Sequence, residues 1–191
     1  MLKPREAIQK MRPYSPPSSG RAGMVRLDFN ENTVGCSPKV VEKIHQTVTQ
    51  SLVSVYPEYE EVRPALAKFF GVAPEELLIT NGTDEAIQVM INTFVNDDDE
   101  VLLMHPSYAM YRFYSEVAGA RVREIEYEPE TLAFPAERFI ANINAQTRAV
   151  LVANPNNPTG TGISMLHLER ILRANPQAAV LVDEAYFEFC G

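Results

Sequence analysis

Beyond Gly71 the sequence alternates short apolar runs with segments of helical periodicity, and this alternation restricts the possible folds more than any other feature. Short joints between alternating strands and helices are typical of a largely parallel sheet covered by helices. The predicted strands are 77–80, 100–104, 121–125, 148–153 and 178–182. The predicted helices are 84–95, 109–118, 135–143 and 164–173. The sequence therefore predicts a three-layer α/β/α sandwich.

The residues before this region carry weaker signals. Residues 10–23 are rich in Pro, Ser and Gly, which is typical of an arm or linker. Ser37 followed by Pro38 predicts the start of a helix that runs to about residue 50. A second helix is expected after Tyr56, with Gly71 as its C-terminal cap. Pro64 should lie in the first turn of this helix or bend it.

The charge balance excludes several classes of protein. Lys and Arg (17) are outnumbered by Asp and Glu (25), and the formal charge of -8 argues against a nucleic-acid partner. No apolar stretch approaches the roughly 18 residues that a membrane span requires, and the first residues run into charge rather than a signal-peptide core. Cys36 and Cys190 lack metal-ligand spacing. We expect a cytoplasmic protein with a small-molecule partner, no metal and free thiols.

Two polar motifs directly follow apolar runs. The apolar run 149–153 is followed by Asn154-Pro155-Asn156-Asn157-Pro158-Thr159-Gly160. The apolar run 178–182 is followed by Asp183-Glu184-Ala185-Tyr186. In open parallel sheets, ligands bind at the carboxyl edge where such motifs meet. A partly desolvated Asp183 without a cation would be costly, so it predicts a cationic ligand group, although an Asp that caps a turn is the alternative. The Asn-Pro segment could likewise be a plain tight turn, with Gly160 permitting a positive φ.

A third motif predicts an anion site. Asn81-Gly82-Thr83-Asp84-Glu85 lies where strand 77–80 should give way to helix 84–95, and a helix start presents free N–H groups and partial positive charge. Gly82 would allow close approach of a phosphate, and Thr83 and Asp84 would supply backbone N–H groups. The Asp84 side chain is expected to cap the helix and turn away. Ordinary helix capping is the alternative interpretation.

Aromatic residues follow the second predicted strand. Tyr108 could lie against a flat aromatic ligand at the end of strand 100–104. Tyr111 and Tyr114 continue at a spacing of three residues, which is more typical of helix packing in a core. The pattern therefore assigns Tyr108 to the site and the other two tyrosines to the core.

Together these motifs resemble the fold-type I, class I/II aminotransferases, which use pyridoxal 5'-phosphate (PLP), and within them the histidinol-phosphate aminotransferases. The resemblance runs from about Pro13 to Gly191. It implies that Asp183 pairs with the protonated pyridine nitrogen of PLP. It also implies that Asn157 and Tyr186 donate hydrogen bonds to the phenolate oxygen, that the Gly82 helix start holds the phosphate, and that Tyr108 stacks on the ring.

The same resemblance implies a homodimer that moves an amino group between L-histidinol phosphate and 2-oxoglutarate. Tyr56 would reach the PLP phosphate of the partner subunit, and Tyr14 would lie near the substrate of a neighbouring subunit. Asn30 would contribute to substrate binding. The implied organisation is an N-terminal arm over 1–29, the N-terminal part of a small domain over 30–52, and the N-terminal part of the PLP-binding domain over 53–191. That domain would be incomplete at its C-terminal side.

The sequence departs from the family pattern in its lysines. PLP enzymes of this family bind the cofactor through a Schiff-base lysine, which belongs to the half of the family pattern beyond residue 191. All five lysines precede the Gly82 motif: Lys3, Lys10, Lys39, Lys43 and Lys68. We therefore expect a fragment that is inactive alone. The alternatives are another fold-type I PLP enzyme, such as an aromatic aminotransferase or a threonine-phosphate decarboxylase-like enzyme, or a non-catalytic binding protein.

Overall fold

The structure is a computed structural model, and it describes residues 2–12, 19–21 and 23–190. These residues form two compact units, one made of residues 2–12 and 80–190 and the other of the described residues between 13 and 79. The domain boundaries expected near residues 30 and 53 remain a prediction. No helix in the described ranges is long and apolar enough to cross a membrane.

The described chain has three helices before residue 82, and from residue 82 onward helices and parallel strands alternate. The helices are α1 (Glu6–Lys10), α2 (Pro38–Thr47), α3 (Val62–Phe70), α4 (Gly82–Phe94), α5 (Ala109–Ala118), α6 (Ala136–Ala141) and α7 (Met165–Ala174). The strands are β1 (Glu100–His105), β2 (Arg121–Glu126), β3 (Thr147–Ala153) and β4 (Ala179–Asp183). Short 3₁₀ turns occupy Leu52–Ser54, Pro74–Glu76 and Phe187–Phe189.

The four strands form one parallel sheet in the order β2-β1-β3-β4. Leu102 of β1 lies opposite Val150 of β3, and Ala153 of β3 lies opposite Asp183 of β4. The chain leaves β1 toward β2 on one side and then returns past β1 to build β3 and β4 on the other. The order therefore reverses between β1 and β3, and such a switch point opens a crevice at the carboxyl edge of the sheet.

The core lies on both faces of the sheet. One cluster joins β1 and β3 to α4 and α5, and its members are Ile87, Ile91, Val95, Val101, Leu103, Tyr111, Ala149, Leu151 and Ala153. The opposite cluster joins the alternate strand residues to α6 and α7, and its members are Leu102, Met104, Tyr127, Phe139, Ile143, Val150, Val152, Ile163, Leu168 and Ile171. Each large apolar side chain buried here contributes about 1.5–3 kcal/mol. The predicted three-layer α/β/α arrangement is confirmed.

Helices α4 to α7 and strands β1 to β4 begin and end within two residues of their predicted bounds. The strand predicted at 77–80 is wrong, because this segment pairs with none of the described strands. The Leu77 carbonyl instead accepts a hydrogen bond from Arg63 Nη1 at 2.6 Å, and Leu78 is exposed. A short apolar run predicts a strand only when a neighbouring strand is available to pair with it.

The second unit contains α2 and α3. Ser37 precedes α2 and Pro38 occupies its first position, as predicted, but the helix ends at Thr47 rather than near residue 50. Gly71 ends α3 in the left-handed conformation at a φ of 70°. This confirms the predicted glycine cap. Tyr14 lies outside the described residues, so its predicted position near a substrate remains a prediction.

Candidate active site

The polar motifs of the first unit lie beyond the carboxyl ends of parallel strands. Residues 106–108 follow β1, residues 154–160 follow β3, and Asp183 is the last residue of β4. Because parallel strands all end at the same edge, the three segments share one side of the sheet. Those after β1 and β3 flank the switch point, where a ligand crevice is expected.

Asp183 is a buried acidic residue. Only 7% of its surface is exposed. Its Oδ2 accepts a hydrogen bond from the Tyr111 hydroxyl at 2.8 Å, and its Oδ1 accepts one from the Ala185 N–H at 3.0 Å. No Lys, Arg or His among the described residues forms an ion pair with it. Two neutral donors stabilise the carboxylate without neutralising it, which leaves it suited to a cationic group.

Tyr111 is a core residue whose hydroxyl also serves the site. It is fully buried and packs in the α4/α5 cluster, so the predicted core position is confirmed. The hydrogen bond to Asp183 was missed from the sequence, although a buried tyrosine hydroxyl usually requires an acceptor. Burial, and then the charge of Asp183, raise the pKa of Tyr111 well above its usual value. The phenol therefore remains a hydrogen-bond donor.

The two adjacent asparagines after β3 differ in their surroundings. Asn156 is 3% exposed, and its Oδ1 accepts a hydrogen bond from Ser107 Oγ at 2.7 Å. Its Nδ2 donates to the Pro106 carbonyl at 3.1 Å and to Thr159 Oγ1 at 2.9 Å. Asn156 therefore joins the loop after β3 to the loop after β1 and has no spare donor for a ligand.

The side-chain amide of Asn157, unlike that of Asn156, has donors left for a ligand. Asn157 is half-buried, and its side-chain amide makes no hydrogen bond within the described parts of the chain. Gly160 ends the loop at a φ of 70°, as predicted, and its N–H donates to the Asn156 carbonyl at 2.7 Å. The structure thus leaves the amide of Asn157, rather than that of Asn156, available to a ligand.

The start of α4 is open. Gly82 has a φ of 78°, and an added Cβ would meet no heavy atom of another described segment within 4 Å. The side chain of Asn81, which precedes α4, makes no capping hydrogen bond, and the first N–H groups of a helix have no partner within it. Thr83 is exposed. These features suit an anion such as a phosphate.

The capping role expected for Asp84 is wrong. Asp84 Oδ1 instead accepts a hydrogen bond from the Tyr108 hydroxyl at 2.8 Å. The Glu85 carboxylate, one residue later, accepts from the Asn81 N–H. Asp84 therefore turns toward the loop after β1, which ties the start of α4 to that loop.

Tyr108 and Tyr111 connect the two carboxylates at opposite ends of the site, Asp84 and Asp183. Their ring centroids lie 5.7 Å apart in an edge-to-face arrangement. One hydroxyl binds Asp84 at the start of α4, and the other binds Asp183 at the end of β4. Helix α5, which begins between them, thus sets the spacing between the open helix start and the buried carboxylate.

The other predicted site residues are less constrained. Tyr186 is half-buried in the turn after β4, with its ring centroid 6.5 Å from that of Phe189. Asn30 and Tyr56 belong to the second unit and are exposed; Asn30 has a φ of 52°. The roles implied for these three residues remain predictions.

The donor set of the first unit fits PLP. A buried, unneutralised carboxylate suits a protonated ring nitrogen, an open helix start suits a phosphate, and a free amide suits a phenolate oxygen. All three features lie on segments linked by the hydrogen bonds of Tyr108, Tyr111 and Ser107. The residues present are therefore compatible with the cofactor that the sequence motifs imply.

Comparison with known proteins identifies relatives of this chain. The chain is 36% identical over 174 residues to a histidinol-phosphate aminotransferase of a Thermoanaerobacter species, covering 87% of this chain and 48% of that protein. It is 32% identical to histidinol-phosphate aminotransferase 1 of Bacillus cereus, covering 100% of this chain and 53% of that protein. The chain thus spans about half the length of the curated relatives it matches.

A solved structure shows the same fold. It is a histidinol-phosphate aminotransferase of Sinorhizobium meliloti in complex with pyridoxal-5'-phosphate, with a TM-score of 0.86 and 20% identity over 100% of this chain and 53% of that one. The family model for aminotransferase class I and II matches residues 22–191, which include every motif of the candidate site. The chain belongs to the class I and II aminotransferase family.

Proposed function

We propose that this chain supplies the PLP-binding edge of an aminotransferase that moves an amino group between L-histidinol phosphate and 2-oxoglutarate. The observation that carries the proposal is the buried Asp183 carboxylate, which has two neutral donors and no cationic partner among the described residues. The names of the relatives from Thermoanaerobacter and Bacillus cereus support the substrate. The expectations of a homodimer and of a cytoplasmic location belong to the same proposal.

Each residue has a separate task in this proposal. Bound PLP would withdraw electrons from the substrate's α-carbon through its protonated pyridine ring. Asp183 would hold the proton at the ring nitrogen, because a carboxylate favours the charged form of that nitrogen. Asn157 and Tyr186 would donate hydrogen bonds to the phenolate oxygen, which steadies its charge.

The phosphate would lie at the start of α4. Gly82, Thr83 and Asp84 would present backbone N–H groups, and the partial positive charge of the helix start would add about 0.3–2 kcal/mol. Tyr108 would contact the ring face, with its hydroxyl held by Asp84. Tyr56 and Tyr14 would complete the site of a partner subunit, Tyr56 at the PLP phosphate and Tyr14 near the substrate, as the family resemblance implies. Asn30 would contribute to substrate binding.

The domain assignment is part of the proposal. Residues 53–191 would contribute to the PLP-binding domain, residues 30–52 to a small domain, and residues 1–29 to an arm. Support comes from the sheet of the first unit, because the motif-bearing loops all follow its strands or begin α4.

Equilibrium dialysis of the 191-residue chain against PLP tests the cofactor assignment. We expect saturable binding that weakens in Asp183→Asn, because the amide keeps the acceptor for Tyr111 but loses the charge that favours a protonated ring. Glu184→Gln is the matched control, since it removes one carboxylate from the adjacent, exposed residue and should leave the affinity unchanged. Equal affinity of the wild-type chain and Asp183→Asn would contradict the assignment.

The substrate assignment needs a separate assay. The chain would be assayed alone and after mixing with the C-terminal half of the Thermoanaerobacter relative, with L-histidinol phosphate, tyrosine or phenylalanine as amino donor. We expect turnover only in the mixture and fastest with L-histidinol phosphate. Faster turnover with tyrosine or phenylalanine would show that the amino donor is an aromatic amino acid rather than L-histidinol phosphate.

A further inference from the structure

We propose that Tyr111 is a positioning residue, whose buried hydroxyl holds the Asp183 carboxylate in one orientation for a protonated ring nitrogen. This inference rests on the proposed function, since it concerns the same carboxylate. The structural basis is the 2.8 Å hydrogen bond between Tyr111 and Asp183, which spans 72 residues of sequence.

The Asp183 carboxylate is held at both oxygens. Tyr111 binds Oδ2, and the Ala185 N–H binds Oδ1 at 3.0 Å, so the group cannot turn about its Cβ–Cγ bond without breaking a hydrogen bond. An ionised carboxylate has about four acceptor positions. Two of them remain for a ligand, and their directions are set by the two that are filled.

Tyr111 is itself fixed by packing. It has no exposed surface, and its ring meets that of Tyr108 edge-to-face at 5.7 Å. Its main-chain carbonyl accepts a hydrogen bond from the buried Ser115 Oγ at 2.7 Å. The position of the phenolic oxygen is therefore determined by the packing of α5 against the sheet, and not by solvent.

The chemistry of a phenol suits this task better than that of a cation. Lysine or arginine at this position would neutralise Asp183 and weaken its attraction for a protonated ring. Tyrosine orients the carboxylate and leaves its charge in place. Burial and the charge of Asp183 raise the pKa of Tyr111, so the hydroxyl keeps the proton that it donates.

The test compares two matched variants with two ligands. Tyr111→Phe removes only the hydroxyl that binds Asp183, and Tyr114→Phe removes a hydroxyl on the same helix that bonds to no other described residue. Each chain is dialysed against PLP and against an analogue in which C–H replaces the ring nitrogen. We expect Tyr111→Phe to bind PLP up to about tenfold more weakly, because binding must then also orient a carboxylate that the phenol no longer holds. The variant should bind the analogue like wild type. Tyr114→Phe should match wild type for both ligands.

Three results would overturn the inference. Unchanged PLP affinity in Tyr111→Phe would show that the hydroxyl does not position Asp183. An equal loss for PLP and the analogue would show that the variant merely disturbs packing. Failure of the wild-type chain to bind PLP would contradict the proposed function, and the role of Tyr111 with it. This outcome is distinguished from the first two because it is measured on the wild-type chain alone.

The ligand-free chain provides an independent readout. Urea unfolding of Tyr111→Phe, Asp183→Ala and the double variant forms a cycle that isolates the interaction between the two side chains. We expect the two changes to be non-additive. Additive effects would contradict the hydrogen bond on which the positioning role depends.

Discussion

Ser107 and Asn156 lie 49 residues apart in sequence, and the Ser107 hydroxyl donates a hydrogen bond to Asn156 Oδ1 at 2.7 Å. Asn156 Nδ2 in turn donates to the carbonyl of Pro106, the neighbour of Ser107. The loops after β1 and β3 are thus joined at the point where the strand order reverses. The buried side-chain amide of Asn156 therefore stabilises the two loops that flank the candidate crevice.

Asn156→Ala should therefore destabilise the first unit. The change removes the hydrogen-bond partner of the Pro106 carbonyl and of the Ser107 hydroxyl. A buried polar group that loses its partner costs about 1–3 kcal/mol of stability. Urea unfolding should show a loss of at least about 2 kcal/mol. The adjacent variant Asn157→Ala is the control, and it should change the stability by less than about 0.5 kcal/mol while weakening PLP binding. Equal stability losses in the two variants would contradict this division of roles.

Gly82→Val should weaken PLP binding by covering the start of α4. No described residue outside the immediate neighbours of Gly82 lies within 4 Å of the added Cβ. The fold should therefore tolerate the side chain apart from a strain of about 1–2 kcal/mol at a φ of 78°. Gly71→Val is the matched control, because it places the same side chain at a φ of 70° with similar open space. Both variants should lose similar stability in urea unfolding, but only Gly82→Val should lose PLP affinity in dialysis. Equal PLP affinities of Gly82→Val and the wild-type chain would show that the phosphate does not bind at the start of α4.

Buried tyrosines should make the stability fall in alkaline solution. Burial raises the pKa of Tyr127 from 10.0 to about 12, against a smaller opposite effect of its hydrogen bond with Thr159. Because the folded state holds this proton more tightly than the unfolded state, the stabilisation is complete below about pH 10 and is lost as the pH rises toward about 12. The free energy of unfolding of Tyr127→Phe should decline less steeply over this range than that of wild type. Parallel declines would show that Tyr127 does not contribute to the alkaline loss.

Gly119→Ala should destabilise the C-terminal end of α5. Gly119 has a φ of 89°, and an added Cβ would collide with the Asp97 carboxylate. That carboxylate is also held by Arg5 at 2.7 Å. We expect a loss of about 1–3 kcal/mol in urea unfolding. In the Asp97→Ala background the loss should become smaller, because only the backbone strain remains; an unchanged loss would show that the collision contributes nothing.

The sequence alone determined the order and most of the bounds of the elements in the first unit. Helices α4 to α7 and strands β1 to β4 were predicted because apolar periodicity and helix-ending residues act over a few neighbouring positions. The positions of Asp183, Gly82 and Gly160 relative to these elements followed from the same local signals. Membership of an aminotransferase family could also be inferred from these motifs.

Tertiary structure decided which of these residues act together. The strand order β2-β1-β3-β4, the failure of residues 77–80 to form a strand and the partners of Tyr108, Tyr111 and Asn156 all depend on contacts between distant segments. Two adjacent asparagines look alike in the sequence, but only Asn156 is placed where Pro106 and Ser107 can bind it. Periodicity fixes which face a side chain takes, whereas a hydrogen bond requires two atoms about 3 Å apart, and only the packed chain sets that distance.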